Sequence, residues 1–220
     1  MIDGASRPAP AAPDRSRRAS DIVAAARDLL EADGPEAVTM RRIGAALGIR
    51  APSIYKHLPG KRAVEVALIV DALAEIGEIL HRSTEAGGGD AIARLLSAYR
   101  AHALSHPNLY RLATGGPLPR DEIPAGLEEW AGRPFFTVTG DPFVAQALWS
   151  FAHGMVILEL DDRYPSTSEL DRTWKAGADA FAAASAGATG RRHPTGAGRL
   201  DDHDATKPEG TDPTQPRGVG

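Results

Sequence analysis

Apolar residues along this chain recur every three or four positions rather than alternately, and the segments they mark read as helices. Ile22, Ala25, Ala26, Leu29 and Leu30 form a first stripe, with Ser16 and Ser20 as cap candidates before it and Gly34-Pro35 closing it. Thr39 is placed to cap a short second helix with Ile43, Ala46 and Leu47 on its buried side, and Gly48 stops that helix as a left-handed residue just past its end. A further short helix starts near Ala51-Pro52 and runs through His57, with Ile54 and Leu58 inward. Pro52 fits there because a first-turn residue needs no amide partner. Pro59-Gly60 ends it, and Lys61 opens a long segment to about His81 with Val64, Leu68, Ala72, Ile76 and Ile79 along one side.

Gly87-Gly88-Gly89 is a break. A helix is expected over about 90–105 through Ile92, Leu95, Leu96, Tyr99 and Ala103, then a short one from Pro107 through Leu109, Leu112 and Ala113. Residues 114–120 read as a Gly/Pro loop and 121–131 as a short helix. Pro142 opens an apolar stretch to about Leu160, and Ser168 or Glu169 opens a last helix to about Ala184. No alternating segment of any length appears, so the fold class is all-α. Residues 1–15, with three prolines, and 187–220, with seven glycines and four prolines, hold too little apolar surface to offset their ordering entropy and read as a disordered arm and tail.

Composition narrows the chemistry. Among 220 residues only 5% are aromatic, which suits helices better than sheets. The absence of cysteine excludes disulfides, Cys-ligated zinc, iron–sulfur clusters and thiol catalysis. No apolar run approaches the ~20 residues of a bilayer span, and no apolar region follows the N-terminal arginines as a secretory signal would require. A cytoplasmic protein without membrane association is therefore expected. The net charge of −4 divides unevenly: residues 1–62 carry 11 Lys and Arg against 7 Asp and Glu, and within 38–62 there are six basic residues and no acidic one. A compact basic patch on an otherwise acidic chain points to a polyanion-binding head.

Two short helices joined at Gly48-Ile49 after a longer amphipathic one make the helix-turn-helix arrangement, whose second short helix enters the major groove. Arg41 and Arg42 fall on the outer side of the first, and Arg50, Ser53 and Lys56 surround the second. The stretch from about Ile22 to Leu68 resembles the DNA-binding domain of the TetR family of bacterial transcriptional regulators. Thr39-Met40-Arg41-Arg42-Ile43, Leu47-Gly48-Ile49 and Ser53-Ile54-Tyr55-Lys56-His57, with Lys61 four residues on, carry the resemblance. It implies phosphate roles for Thr39, Tyr55, His57 and Lys61, with Arg41, Arg50, Ala51, Pro52, Ser53 and Lys56 facing base edges or nearby backbone; Arg42 belongs to the same surface. Ala51 and Pro52 offer only apolar contact, such as with a thymine methyl. Arg7, Arg15, Arg17 and Arg18 could reach into a minor groove or stay in solvent.

The resemblance also implies a head over 16–62 and a helical ligand-binding and dimerisation body over 63–186. The last two long helices would pair with a second copy. Trp149, His153 and Gly154 resemble the Trp-x3-His-Gly subclass of such bodies, with Gly154 allowing close approach of a neighbouring helix. The implied function is a ligand-responsive homodimeric regulator, with repression the family habit. Its partners would be a near-palindromic double-stranded operator and a small, largely apolar effector, and no cofactor is expected. Tyr99, Tyr110, Trp130, Trp149 and His153 are candidates to line an effector pocket, although aromatic residues at helical spacing commonly form plain core. His102 and His106 have a zinc-compatible spacing, but His106 precedes Pro107 and is pushed out of the helix, so no metal is expected. No Gly-x-Ser-x-Gly, phosphate-cradling glycine loop or His-Glu-x-x-His supports catalysis. The alternative readings are a small-molecule-binding protein with a degenerate head and an all-α enzyme using the pocket.

Overall fold

A computed structural model describes residues 10, 14–85, 88 and 90–190. Most of the expected arm and tail, and all of the Gly87-Gly88-Gly89 break but Gly88, lie outside the described residues. The architecture is all-α: α1 (Arg17–Asp33), a 3-10 turn (Pro35–Ala37), α2 (Met40–Ala46), α3 (Ala51–Ile54), α4 (Lys61–Glu85), α5 (Ala91–Ser105), α6 (Pro107–Thr114), α7 (Leu127–Thr139), α8 (Pro142–Leu160) and α9 (Leu170–Gly190).

The helix ends follow their local chemistry. Ser16 caps α1 by accepting from the Ala19 amide, and Thr39 caps α2 by accepting from the Arg42 amide at 3.2 Å. Past α2, Gly48 takes the left-handed conformation at φ 65°. The Ile49 amide then donates to the Gly44 carbonyl at 2.9 Å and the Gly48 amide to Ala45 at 3.2 Å, the paired bonds of a Schellman ending. Met40, Ile43 and Gly44 form the buried side of α2. Ala46, expected inward, is exposed, because positions 40, 43, 44 and 47 share the inner face and 46 does not.

Four further boundaries differ from expectation. α3 is one turn, continued only by a turn in which the His57 and Leu58 amides donate to the Ile54 carbonyl; Pro59 restricts Leu58 and stops propagation. α4 continues past His81 to Glu85, and α9 runs to Gly190 rather than to about 184. The expected 121–131 helix instead starts at Leu127 and continues through Pro134 to Thr139.

α4 belongs to both ends of the molecule. Its first half contributes Val64, Ala67, Leu68 and Ala72 to a core with Ile22, Leu30, Ile43 and Ile54. Farther along, Leu80 joins the larger core of Leu95, Leu96, Leu148, Ala152 and Val156. On another side, Val66 and Val70 pack against Leu127, Trp130 and Ala131 of α7. The head is thus seated on the body through a shared helix rather than joined by a linker. Arg15, expected in the free arm, is docked on that helix: Nη1 donates to both Asp71 carboxylate oxygens at 2.7 Å and Nη2 to the Ala67 carbonyl.

Candidate nucleic-acid interface and effector cavity

Burial sorts the head into two sides. Ile43 and Ile54 are fully enclosed, so α2 and α3 are fixed to α1 and α4 by their apolar residues. Gly44 allows this closeness, since a Cβ there would stand 2.8 Å from the Ile49 carbonyl oxygen. The opposite side holds all eleven sequence candidates. Arg41, Arg42, Arg50, Pro52, Ser53, Tyr55, Lys56, His57 and Lys61 are exposed, and Thr39 and Ala51 are partly so. Tyr55 in particular is 52% exposed, its ring lying outside the core.

The cations on this side are not equally free. Arg42 is paired with Asp33 of α1, and Lys61 stands 3.7 Å from Glu65 and 3.4 Å from the Pro35 carbonyl. Arg62 donates twice to Glu122, at 3.0 and 2.8 Å. Among the described residues, Arg41, Arg50 and Lys56 have no carboxylate within salt-bridge range, so the unpaired positive charge gathers on α2 and the start and end of the α3 turn. Exposed pairs such as Arg42–Asp33 contribute little and exchange readily for a stronger anion.

In the body, a cavity of about 590 Å³ opens between α4, α5, α6, α7 and α8. Leu73, Ile76, Phe135 and Ala145 make its walls largely apolar; Tyr99, Tyr110, Trp149 and His153 add polar features, as do His102, Arg120, Glu128 and Gln146. The Tyr99 and Tyr110 hydroxyls are 2.9 Å apart, and the Tyr110 hydroxyl is 2.7 Å from His153 Nδ1. Burial lowers the His153 pKa and favours the neutral ring, whose Nδ1 shares a hydrogen bond with the Tyr110 hydroxyl. Burial pushes the Tyr99 hydroxyl up to about 12 and raises Tyr110 as well, keeping both phenols protonated donors. Trp149 stacks on His153 with centroids 5.8 Å apart and planes at 18°. Four of the five pocket candidates therefore meet in one cavity. Trp130 does not: it lies outside that lining, stacked on His81 and packed against Gly77.

Residues 22–68 match the family described as bacterial regulatory proteins, tetR family, and residues 92–181 match the tetracyclin repressor-like C-terminal domain. The chain belongs to the tetR family. It is 28% identical over 156 residues to an uncharacterized HTH-type transcriptional regulator of Mycobacterium tuberculosis, covering 63% of this chain and 68% of that protein. The fold is similar to that of a protein of unknown function from Rhodococcus sp. RHA1 (TM-score 0.66, 19% identity, 78% of this chain and 97% of that one). It is also similar to a TetR variant from Acinetobacter baumannii AYE in complex with minocycline (TM-score 0.54, 24% identity, 74% and 93%).

As a tetR-family protein the chain is a DNA-binding transcriptional regulator, and several contacts joining its two functional ends carry no sequence signature. Glu31, near the end of α1, accepts from the Leu109 amide at 3.0 Å and the Asn108 amide at 3.4 Å, capping α6 from the head. The neighbouring residue on α6, Tyr110, lines the cavity. The loop before α7 supplies Glu122 to Arg62, while Arg120 of the same loop lines the cavity and pairs with Glu128. The Glu31 and Arg62 contacts join residues 60 or more positions apart, where spacing offers no cue.

Proposed function

We propose that this regulator is a homodimeric repressor whose head, residues 16–62, holds a near-palindromic operator and whose body, residues 63–186, takes a small, largely apolar effector that releases it. The observation that carries the reading is the two-sided head: Ile43 and Ile54 fully buried, and the opposite side basic and exposed over Thr39–Lys61. In this reading α3 and its following turn seat in the major groove, with Arg50, Ala51, Pro52, Ser53 and Lys56 at base edges. Thr39, Arg41, Arg42, Tyr55, His57 and Lys61 meet phosphates or adjacent edges. The α8 outer face supports the dimer. Phe143 is 80% exposed and shares that face with Ala147, Ser150, Gly154 and Leu158, while Ala176, Ala180, Ala183 and Ala184 line the outside of α9.

A Cβ at Gly154 would meet nothing within 4 Å, so its smallness serves no contact in its own chain. α8 is a 19-residue helix apolar enough by length and composition to cross a membrane, contrary to the expectation that no run nears that length, yet only 28% of its most apolar 18 residues are buried. A second copy packing α8 and α9 against their counterparts covers that surface without a bilayer and leaves the protein in the cytoplasm. The cavity's apolar walls and three linked polar groups suit binding rather than turnover. Selection of binding sites from random duplexes, followed by footprinting, tests the proposal. A preferred site with two half-sites about one helical turn apart is expected. Equal affinity for every duplex at moderate salt would overturn it.

A further inference from the structure

One group of side chains is not used in the reading above, although one of its members, His102, also lines the cavity. Glu75 of α4, His102 of α5 and His106 at the corner between α5 and α6 each bring a donor atom within 4.8 Å of the others. His102 Nδ1 lies 3.7 Å and His106 Nε2 3.8 Å from the same carboxylate oxygen, Glu75 Oε1. His106 has left the helix, at φ −133° and ψ 61°, as a residue before proline does. Its ring still lies beside His102, the centroids 5.3 Å apart. The two rings converge even though His106 precedes proline, one from the helix and one from its corner, and the third donor comes from another helix.

The Glu75 carboxylate is paired with Arg27 of α1. The two carboxylate oxygens are used unequally: Arg27 Nη1 donates to Oε2 at 2.6 Å, while Nη2 reaches Oε1 only at 3.2 Å. The oxygen facing the imidazoles is thus the less engaged one, and the guanidinium orients the carboxylate from the other side, as outer partners of metal ligands do. Charge nearby also suits a cation. Arg27 feels Glu31 and Asp71 as well as Glu75, and Arg15 pairs with Asp71, so three carboxylates stand against two guanidinium groups.

We propose that Glu75 Oε1, His102 Nδ1 and His106 Nε2 bind one divalent transition-metal ion of the zinc, cobalt or nickel kind. Two imidazoles and one carboxylate select these ions over magnesium or calcium, which prefer all-oxygen shells. Donors around a tetrahedral zinc stand roughly 3.3 Å apart, so the three atoms close by on the order of 1 Å, a distance side-chain rotation supplies. The bound ion links α4 to the α5–α6 corner beneath the Arg27 contact of α1.

Cobalt(II) titration of the full-length chain without an affinity tag tests this. The expected result is visible ligand-field absorption that saturates at one equivalent, is abolished by zinc and is unaffected by magnesium. His106→Gln, at a side chain 35% exposed, leaves the fold intact, and both it and His102→Gln lower cobalt affinity by about tenfold or more. The double variant His193→Gln/His203→Gln, at histidines outside the described residues, leaves the titration unchanged. Absence of saturable absorption at micromolar cobalt overturns the proposal. So does absorption indifferent to both His102→Gln and His106→Gln, or absorption lost in the C-terminal double variant.

Discussion

His81 Nε2 donates to the carbonyl oxygen of Trp130 at 3.0 Å in a buried contact between α4 and α7, and the imidazole stacks on the indole with centroids 4.8 Å apart. The contact answers a need created by the sequence of α7. Pro134 lies inside that helix four residues after Trp130, so the amide that would bond the Trp130 carbonyl is missing. His81 supplies the donor from the neighbouring helix, and α7 passes through its proline. His81→Leu removes this buried hydrogen bond and should lower unfolding free energy by about 1–3 kcal/mol. Pro134→Ala restores an in-helix amide, so the His81→Leu loss should shrink in that background. A denaturant-based double-mutant cycle measures the difference, and equal losses in both backgrounds would show that the two residues are not linked this way.

That contact also marks where sequence reading stops. The head was legible almost residue by residue, because caps, glycine stops and a 3.6-residue period act locally: Thr39, Gly48, Ile43 and Ile54 take the places their neighbours dictate. Ala46 shows the weakness of the same method, since a small apolar residue one step off the inner face reads as core. The expected helix over 121–131 stops three residues short of Pro134, whereas α7 passes through that proline with its Trp130 carbonyl met by His81, a partner 49 residues away. The cavity's aromatic residues were legible as a set but not as a place. Helical period puts Trp130 on a buried face without saying whether that face meets the cavity or α4. The Glu75, His102 and His106 cluster needed three elements to be positioned at once.

His153 sets a pH dependence. Its pKa is lowered in the folded chain by burial, so the unfolded chain, with an ordinary histidine near 6.5, binds the proton more readily. By linkage, the stability this group contributes is fully present above about pH 6.5 and is lost as pH falls through the lowered folded value. His153→Asn removes that contribution. Unfolding midpoints measured from pH 7.5 down to pH 5 should fall less steeply for the variant than for the parent chain. His102, whose pKa is also lowered, is present in both chains and cancels in the comparison. Parallel curves would show that burial does not hold His153 in its neutral form.

Lys61 and Arg42 test how the basic surface meets duplex phosphates. Lys61 begins α4 with its ammonium 3.7 Å from Glu65, a loose exposed pair. Lys61→Ala should weaken binding to all duplexes alike and reduce the slope of log affinity against log salt by about one. Arg42 is held by Asp33 when no DNA is bound. Asp33→Ala removes both the competing partner and a negative charge beside the surface, so it should tighten binding without changing which duplex is preferred. Affinities measured over a salt series for the two variants check both statements. An unchanged slope for Lys61→Ala would remove that residue from the phosphate contacts.

Gly44 gives the sharpest test that the head geometry itself is required. The turn after α2 folds back so closely that a methyl group at position 44 would lie 2.8 Å from the Ile49 carbonyl oxygen and 3.4 Å from the Ala51 nitrogen, both backbone atoms that cannot swing aside. Gly44→Ala must therefore push the start of α3 away from α2, even though alanine favours a helix interior by about 1 kcal/mol over glycine. The steric term opposes and exceeds that gain, since overpacking of this kind costs about 1–3 kcal/mol. The body core around Leu148 and Ala152 is distant in sequence and shares no side chain with this turn. Gly44→Ala should accordingly abolish preferential operator binding and raise amide exchange over α2 and α3, while exchange over α8 stays as in the parent chain. Operator binding at parental affinity would mean that the separation of α2 and α3 does not control docking.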